Sequence, residues 1–430
     1  MVQMVVVGGG FAGCAAALQA ARMGARVILA ERTDMLCGTG AVGGIMRNNG
    51  RYTAAQEMLA MGGGQLFSLI DENSRHKNID FPGHRHASLF DVARVPAQVE
   101  RCLEEAGVEI RLKCRISGIF HLWKSKKGKT GRLISVKDAH GNVLEGDVFI
   151  DATGSAGPAS VCHKYGSGCA VCIMRCPAFG GRKSLCAMCG LEEFGAVRDG
   201  HIGAMSGSCK LMKESLSQEI REKLDREGVA VIPVPGKLME DHLDIKACQQ
   251  YALPEFAENI ILLDTGHAKM MTPFFPLEKL RKIPGLENAR YEDPYAGGVG
   301  NSIRLTACVK REDTMLAEGM ENLFCAGEKS GIFVGHTEAV VTGVLAGFNG
   351  VRFALGREMA VLPTETACGD AIHWVGEQMK SLQGRSRKYT FSGSVLFERM
   401  KDLGLYTTDE EQIRLRVEKC GAADLFSKDL

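Results

Sequence analysis

The N-terminal glycines place the strongest constraint on how this chain folds. The apolar run Met4–Val7 predicts a buried parallel strand, and Phe11–Met23 predicts a helix. Between them, Gly8, Gly10 and Gly13 occupy the first, third and sixth positions of a dinucleotide-binding fingerprint. In that fingerprint the first glycine forms a tight turn, the second lets a pyrophosphate approach the backbone, and the third lets helix and strand pack closely. The sequence therefore predicts a nucleotide cradle at the helix N-terminus.

An acidic residue and a glycine-rich loop indicate which dinucleotide is expected. The second predicted strand, Arg26–Ala30, runs into Glu31, which lies 18 residues after Gly13. A carboxylate at this place can hold both hydroxyls of an adenosine ribose. The following stretch, Leu36–Asn49, contains four glycines and is predicted to be a loop. Such a loop suits FAD better than NAD.

A second nucleotide-binding segment follows about a hundred residues later. Val108–Ser117, Arg132–Lys137 and Val143–Ile150 are predicted to be strands, and the last runs into Asp151-Ala152-Thr153-Gly154. Together with the glycine fingerprint and Glu31, this segment resembles the two-part nucleotide site of FAD-dependent oxidoreductases with the glutathione-reductase type of fold. The resemblance implies that distant parts of the chain close around one FAD.

The C-terminal part carries a third segment, Asn322–Glu328, in which an apolar strand ends in a glycine and an acid. This segment and the small-residue helix after it resemble the flavin segment of tRNA-modifying flavoproteins, namely the glucose-inhibited-division-A type and the folate- and FAD-dependent tRNA uridine methyltransferases. A helix that starts near Gly335 would point its N–H groups at the flavin and stabilise negative charge there. Methyl transfer is not carried over, because Cys37 is the nearest positional match to the catalytic cysteine of the methyltransferases and its local sequence differs.

These segments give a set of predicted cofactor-binding residues: Gly8, Gly10, Phe11, Ala12, Gly13, Glu31, Arg32, Gly43, Ala152, Thr153, Gly154, Gly327, Glu328, Gly335, His336 and Thr337. Catalytic residues are not identified, and the candidates are His336, Glu338 and Cys37. His336 could equally be a buried histidine with satisfied hydrogen bonds, and Glu338 could be an acid that stabilises a helix N-terminus.

Closely spaced cysteines predict a metal centre. Cys169, Cys172 and Cys176 form C-x2-C-x3-C-P, which resembles part of a ferredoxin run, and Cys186 and Cys189 follow as C-x2-C. We expect a 4Fe-4S cluster held by the first three, with the fourth ligand from Cys186 or Cys189. Zinc is the main alternative, and a redox disulfide or free buried thiols are the others. A cluster near FAD could pass single electrons to and from the flavin.

Charge and composition limit the classes of partner that this protein is expected to bind. The 430 residues carry 52 Lys and Arg against 51 Asp and Glu, so no long-range field attracts a polyanion, and RNA is left open but unsupported. No window approaches a membrane span, and 16 cysteines without a signal peptide indicate a reducing cytoplasm. We expect a small-molecule substrate or an electron-carrier protein as partner, and a homo-oligomer contact through the helical tail. Candidate substrate contacts are His84, Arg85 and His86, which are predicted to lie in a loop, and His267 and Lys269; solvated loop charge is the alternative for each group.

The predicted fold is α/β, with a split Rossmann-like FAD-binding domain at residues 1–160 and 300–355. An inserted mixed α+β domain, cysteine-rich and substrate-binding, is expected at 161–299, and a small helical tail at 356–430. The predicted function is an FAD-dependent oxidoreductase with an iron–sulfur centre that relays electrons to or from the flavin. The alternative is an RNA-modifying flavoprotein with a structural metal site.

Overall fold

The computed structural model describes residues 1–124, 130–154, 176–195, 197–198, 201–202, 204–205, 209–241, 243, 249–272, 275–292, 303–304 and 307–428. The strands within these ranges are β1 Gln3–Val7, β2 Arg26–Ala30, β3 Ile45–Arg47, β4 Ser74–Phe81, β5 His84–Phe90, β6 Glu109–Arg111, β7 Ile116–Lys124, β8 Thr130–Asp138, β9 Val143–Glu145, β10 Val148–Asp151, β11 Val197–Arg198, β12 His201–Ile202, β13 Ala204–Met205, β14 Cys209–Leu211, β15 Val229–Pro233, β16 Asn259–Asp264, β17 Ala268–Met270, β18 Ile303–Arg304 and β19 Leu323–Cys325. The α-helices are α1 Phe11–Arg22, α2 Gly40–Gly43, α3 Gly50–Ala60, α4 Gln65–Glu72, α5 Val95–Glu105, α6 Cys176–Phe179, α7 Leu185–Met188, α8 Gln218–Glu227, α9 Glu255–Glu258, α10 Leu277–Leu280, α11 His336–Ala354, α12 Ala367–Gln378, α13 Leu382–Arg385, α14 Ser394–Asp402 and α15 Glu410–Lys419.

A five-stranded parallel sheet with the order β19-β10-β1-β2-β6 forms the centre of the fold. The strands β19, β10, β1 and β2 are largely buried on both faces, which explains their apolar runs, whereas the edge strand β6 is half-buried. In a parallel sheet the carboxyl ends of the strands meet at one edge. This edge therefore collects Gly8, Glu31, Ala152 and Ala326, although they are far apart in sequence.

Helices α1 and α11 pack together on one face of this sheet. A Cβ atom at Gly343 would lie 2.2 Å from the backbone oxygen of Ala12, and one at Gly347 would lie 2.3 Å from that of Ala16. Glycine at these two positions therefore lets the two helix backbones approach closely. On the other face, Val5 and Ile28 pack against Leu133 and Val136 of the antiparallel sheet β7-β8-β9.

A second antiparallel sheet, with the order β14-β17-β16-β15, lies in the chain between β10 and β19. One face packs on α8 through Ile220 and Leu224, and the other contacts the small sheet β3-β5-β4. Buried Asp264 joins the two sheets. Its carboxylate binds Arg75 at 3.1 Å, His76 at 2.9 Å and Lys213 at 3.2 Å.

The C-terminal helices pack on the first part of the chain. Buried Glu57 of α3 accepts hydrogen bonds from the backbone N–H groups of Ala367 and Cys368 at 2.9 Å each, and it lies 3.3 Å from Arg416 of α15. The predicted helical tail is therefore part of the main core. Within the part of the chain that the structure describes, no helix has the length and apolar character needed to cross a bilayer.

Several element boundaries differ from the prediction. The strand expected at Val108–Ser117 is broken because Lys113 has a positive φ of 54°, and two strands from different sheets result. The segment Leu36–Asn49, expected to be a loop, contains α2 and β3. Val143–Ile150 likewise divides into β9 and β10, and His84, Arg85 and His86 begin β5 instead of lying in a loop.

Candidate functional site

The glycine fingerprint forms the turn between β1 and α1. Gly8 has a φ of 105°, and a Cβ atom there would lie 2.4 Å from the backbone oxygen of Ala152 on the neighbouring strand. A Cβ atom at Gly13 would lie 1.8 Å from the oxygen of Gly8. At Gly10, by contrast, a Cβ atom would meet no atom of the described residues within 4 Å. The middle glycine is the one that faces open space, as a close approach by a phosphate requires.

Glu31 lies beside this turn at the end of β2. One carboxylate oxygen accepts a hydrogen bond of 2.6 Å from the backbone N–H of Gly9. The other accepts hydrogen bonds from the backbone N–H and the hydroxyl of Thr33, at 2.8 and 2.9 Å. These bonds fix the carboxylate at the mouth of the turn, and the oxygen bound by Gly9 keeps a lone pair for a further donor. The neighbouring Arg32 donates to the backbone oxygen of Gly180.

The Asp151–Gly154 segment lies against the fingerprint at the carboxyl end of β10. Buried Asp151 accepts hydrogen bonds from the Thr153 hydroxyl at 2.6 Å and from the backbone N–H of Cys186 at 3.0 Å. Burial opposes ionisation, but the charge of Lys329 and these hydrogen bonds lower the pKa of Asp151 below its usual value. Gly154 has a φ of 69°, and no described residue lies within 4 Å of its Cβ position.

A buried ion pair that the sequence did not indicate supports this segment. Lys329 is fully buried and binds the carboxylate of Glu193, which also lies 3.4 Å from Arg182. Burial opposes ionisation of Glu193, but Lys329 and Arg182 lower its pKa. Lysine is rarely found fully buried without a partner. The sequence around Lys329 gives no sign of this burial or of the partner Glu193.

The N-terminus of α11 meets the segment that contains Gly43. The Nδ1–H of His336 donates to the backbone oxygen of Ile45 at 2.9 Å, and the Thr337 hydroxyl donates to that of Met46 at 2.6 Å. A Cβ atom at Gly43 would lie 1.7 Å from the His336 ring, so glycine is required there. The ring also contacts Phe11, with centroids 5.3 Å apart. Sequence positions 11, 43 and 336 are thus brought together.

Gly327 joins this group from the end of β19. Its φ is 66°, its N–H donates to the Thr342 hydroxyl at 2.9 Å, and its Cβ position lies 2.9 Å from the Cβ of Ala12. Glu328 follows in a 3-10 helix and is half-buried. All predicted cofactor residues thus lie along or next to one edge of the parallel sheet.

Two family models match this chain. Residues 3–166 match the model described as FAD dependent oxidoreductase, and residues 275–358 match the model described as Glucose inhibited division protein A. Each match covers less than half of the chain, and together they show a similarity to FAD-dependent oxidoreductases. The first match covers the glycine fingerprint, Glu31 and Asp151–Gly154, and the second covers Gly327 and the start of α11.

Curated relatives and a solved structure are also similar to this chain. Methylenetetrahydrofolate–tRNA-(uracil-5-)-methyltransferase TrmFO of Bacillus pumilus is 32% identical over 139 residues, which are 31% of this chain and 29% of the relative. TrmFO of Anoxybacillus flavithermus is 36% identical over 101 residues, 23% of this chain and 22% of the relative. The chain thus spans less than a third of the length of these curated relatives. The structure of Aquifex aeolicus GidA in the form II crystal matches with a TM-score of 0.67 at 18% identity, over 100% of this chain and 74% of that chain. This match confirms the predicted fold class.

Glu338, another catalytic candidate, is held in a buried structural contact. Its carboxylate pairs with Arg51 at 3.1 Å and accepts hydrogen bonds from the Thr390 hydroxyl and the backbone N–H of Phe391, each at 2.8 Å. Gly335 lies against the same pair, and a Cβ atom there would come within 2.0 Å of both partners. The contact joins α11, α3 and the C-terminal tail, and it favours the structural interpretation of Glu338.

The third catalytic candidate, Cys37, is buried behind the fingerprint. It has a φ of 68°, and its N–H donates to the backbone oxygen of Gly9 at 2.7 Å. The Cys14 thiol donates to the same oxygen at 3.3 Å. A hydrogen bond with Cys14, together with burial, raises the pKa of Cys37 well above its usual value. A protonated buried thiol is a poor nucleophile.

The predicted metal ligands lie partly outside the described residues. Cys169 and Cys172 fall outside them, and the side chain of Cys176 does as well. Cys186 and Cys189 lie in and just after α7 and are buried, and burial together with the charge of Asp151 raises the pKa of Cys189 to about 12. Among the described residues, no group of three or more His, Cys, Asp or Glu side chains is arranged to hold a metal ion.

The predicted substrate residues differ in their burial and in their hydrogen-bond partners. His84 is buried, with its Nε2–H donating to the backbone oxygen of Gln250 at 2.9 Å, and burial lowers its pKa to about 3. It is therefore a neutral core histidine. His267 binds the carboxylate of Glu292 at 2.9 Å. The Lys269 ammonium donates to the backbone oxygens of Val42, at 3.0 Å, and of Gly43, which places it beside the segment that contains Gly43.

Proposed function

We propose that this chain is a flavin-dependent oxidoreductase that binds FAD along the carboxyl edge of its parallel sheet. The observation that carries the proposal is the contrast within the fingerprint: Gly8 and Gly13 are closed in by backbone, whereas Gly10 opens onto free space at the N-terminus of α1. Gly10 is also the N-cap of that helix and has no side-chain cap, so the N-terminal N–H groups suit an anion. A glycine turn with a purely structural role would not need this opening.

The residues of the site divide between the two ends of the cofactor. Gly8, Gly10, Phe11, Ala12 and Gly13 would surround the pyrophosphate, and Glu31 and Arg32 the adenosine. The remaining members, Gly43, Ala152, Thr153, Gly154, Gly327, Glu328, Gly335, His336 and Thr337, would line the path towards the flavin ring. FAD supplies the electron-transfer chemistry when it is bound.

The protein's own contribution near the ring is positional and electrostatic. The N-terminus of α11 presents the positive end of its helix dipole, which favours negative charge nearby. His336 and Thr337 hold the 43–46 backbone against that helix end. In this proposal, residues 1–160 and 300–355 form the FAD-binding domain, 161–299 the inserted domain and 356–430 the tail, in a cytoplasmic protein.

The visible spectrum of the purified protein tests this proposal. We expect flavin absorption bands, and heat denaturation should release a nucleotide whose mass equals that of FAD. Protein that lacks flavin should regain the spectrum when FAD is added. A colourless preparation that takes up neither FAD nor FMN would refute the proposal, and uptake of NAD alone would reassign the nucleotide.

A second candidate function is modification of tRNA by this flavoprotein. It is favoured by the similarity of residues 275–358 to Glucose inhibited division protein A and by the partial similarity to TrmFO proteins. The test is a gel-shift titration with bulk tRNA at low and high salt. Binding that weakens as salt rises, and that exceeds binding to a DNA duplex of equal length, would support this candidate. Absence of binding at low salt would exclude it.

An iron–sulfur relay, with zinc as the alternative metal, remains a prediction from the cysteine spacing. Among the described residues, Cys186 and Cys189 are not joined by a third His, Cys, Asp or Glu side chain that could complete a metal site. Iron, sulfide and zinc analysis of anaerobically purified protein separates the alternatives. About four irons per chain with broad absorption beyond the flavin bands would support the cluster, one zinc a structural site, and neither metal would remove both.

A further inference from the structure

The inserted sheet carries two lysines directly opposite each other. Lys210 of β14 pairs with Lys269 of β17 in the antiparallel register. Directly opposed side chains have Cβ atoms about 5 Å apart, and like charges in this arrangement are destabilising. The flanking pairs, Cys209 with Met270 and Leu211 with Ala268, are apolar and buried against the helices behind the sheet. The two ammonium groups are therefore on the opposite face, towards β3-β5-β4.

That face meets the cofactor side of the molecule. The Lys269 ammonium donates to the backbone oxygens of Val42 and Gly43, and Gly43 packs on the His336 ring. A Cβ atom at the adjacent Gly44 would lie 2.3 Å from the methyl group of Thr265. The two lysines thus lie next to the segment that the proposed function assigns to the flavin ring.

Lys210 lacks the acceptors that Lys269 has. In the part of the chain that the structure describes, no hydrogen-bond acceptor is placed at its ammonium, and the charge that acts on it is that of Glu292. Burial lowers the pKa of Lys210, and Glu292, whose carboxylate is bound by His267, opposes this effect. The fully buried hydroxyl of Thr265 also has no hydrogen-bond partner among the described residues. An anion beside Lys210 would offset the cost of burying its ammonium group.

We propose that Lys210 and Lys269 form the binding site for an anionic oxygen group, a carboxylate or a phosphate, of a small-molecule substrate. This inference rests on the proposed function, because the site is a substrate site only if the 42–46 segment borders the flavin. Lys210 is the recognition residue, and its ammonium binds the anion. Lys269 is a positioning residue, because its ammonium is already held by two backbone oxygens and its charge adds to the field at Lys210.

Calorimetric titration of the FAD-loaded protein with inorganic phosphate and, separately, with succinate tests the site. Ionic strength is held constant with sodium chloride, because screening alone would change the apparent affinity. We expect saturable binding of at least one anion. The anion that binds more tightly shows whether the site prefers a phosphate or a carboxylate. Lys210→Met should weaken that binding at least about tenfold, and Lys210→Arg should retain it within about threefold. Lys237→Met, at an exposed lysine of the same insertion, is the matched control and should bind as the wild type does.

Two results would overturn the proposal: wild-type protein that binds neither anion saturably, or Lys210→Met protein that binds as tightly as wild type. Urea unfolding of each variant shows that a loss of binding is not a loss of fold. The flavin spectrum, recorded on the same samples, reports separately on the proposed function. Colourless protein whose anion binding still depends on Lys210 would refute the flavin assignment and leave the anion site standing.

Discussion

Replacement of Gly10 and of Gly13 should affect different properties of the protein: the first its affinity for FAD, and the second its stability. Gly10 has φ −69° and ψ 176°, which alanine adopts readily, and its Cβ would meet nothing within 4 Å. Alanine is a poorer N-cap than glycine by about 0.5–1 kcal/mol. It also restricts the unfolded chain by about 0.4–1 kcal/mol. These effects nearly cancel, so Gly10→Ala should change the free energy of unfolding by less than about 1 kcal/mol.

Gly13→Ala should instead damage the fold. The added Cβ would lie 1.8 Å from the Gly8 backbone oxygen and 3.3 Å from the Cβ of Ala152. The oxygen belongs to the backbone and has no side-chain freedom, so the strand and helix must separate. Overpacking of this kind costs about 1–3 kcal/mol and occasionally more. We expect a lower urea midpoint for the apoprotein, and FAD affinity should fall as a secondary effect.

The difference between the variants appears when FAD is titrated into apoprotein and followed by flavin fluorescence. In Gly10→Ala the methyl group occupies the open space at the α1 N-terminus, so the Kd for FAD should rise at least tenfold, about 1.4 kcal/mol. Gly236→Ala makes the same change at an exposed glycine with no neighbour within 4 Å, and it should alter neither quantity. The reasoning is refuted if Gly10→Ala binds FAD as wild type does, or if it unfolds as easily as Gly13→Ala.

Three further substitutions test buried charges and a buried histidine by urea unfolding. Glu338→Gln leaves Arg51 buried without its charged partner and should lower the free energy of unfolding by about 3–5 kcal/mol. The control is Glu377→Gln, at an exposed ion pair with Lys380, which should lower it by less than about 1 kcal/mol. His84 has a folded pKa of about 3 against 6.5 unfolded, so the unfolded state binds the proton first and stability should fall by about 1.4 kcal/mol per pH unit below pH 6.5. His84→Gln should flatten that slope, and an unchanged slope would contradict the assignment. The pKa of Asp151 is lower in the folded state, so its contribution to stability is present above its unfolded pKa of about 3.9 and is lost as pH falls through the folded pKa. Asp151→Asn should therefore reduce stability at pH 7 more than at pH 3, and an equal loss at both would show that the charge is unimportant.

The nucleotide-binding half of the fold could be predicted because local rules and tertiary structure agree there. The β1 strand, the fingerprint and α1 each have a characteristic pattern, and the glycines are needed for reasons that involve only neighbouring backbone. Glu31 was likewise predicted from its distance along the chain. The hydrogen bonds of the Glu31 carboxylate could not be predicted, since its bonds to Gly9 and Thr33 depend on the turn geometry.

The charged interior was much harder to predict. Lys329 and Arg51 look like ordinary surface residues in the sequence, because a charge pattern does not reveal a partner more than a hundred residues away. Glu193 and Glu338 are those partners, and the contacts exist only after the sheet has formed. Lys210 was missed for a related reason: in a three-residue edge strand, the face on which a side chain lies follows from register alone.

The segment from Val42 to Met46 connects the two sides of the proposed reaction. From the cofactor side, His336 and Thr337 bind the backbone oxygens of Ile45 and Met46. From the inserted sheet, Lys269 binds those of Val42 and Gly43. Because both sets of donors hold the same short stretch of backbone, a shift of the inserted sheet on substrate binding would move the residues next to His336. In the proposed function, substrate recognition on the inserted sheet and cofactor placement on the parallel sheet would therefore be mechanically joined through main-chain oxygens, for which no side-chain pattern exists in the sequence.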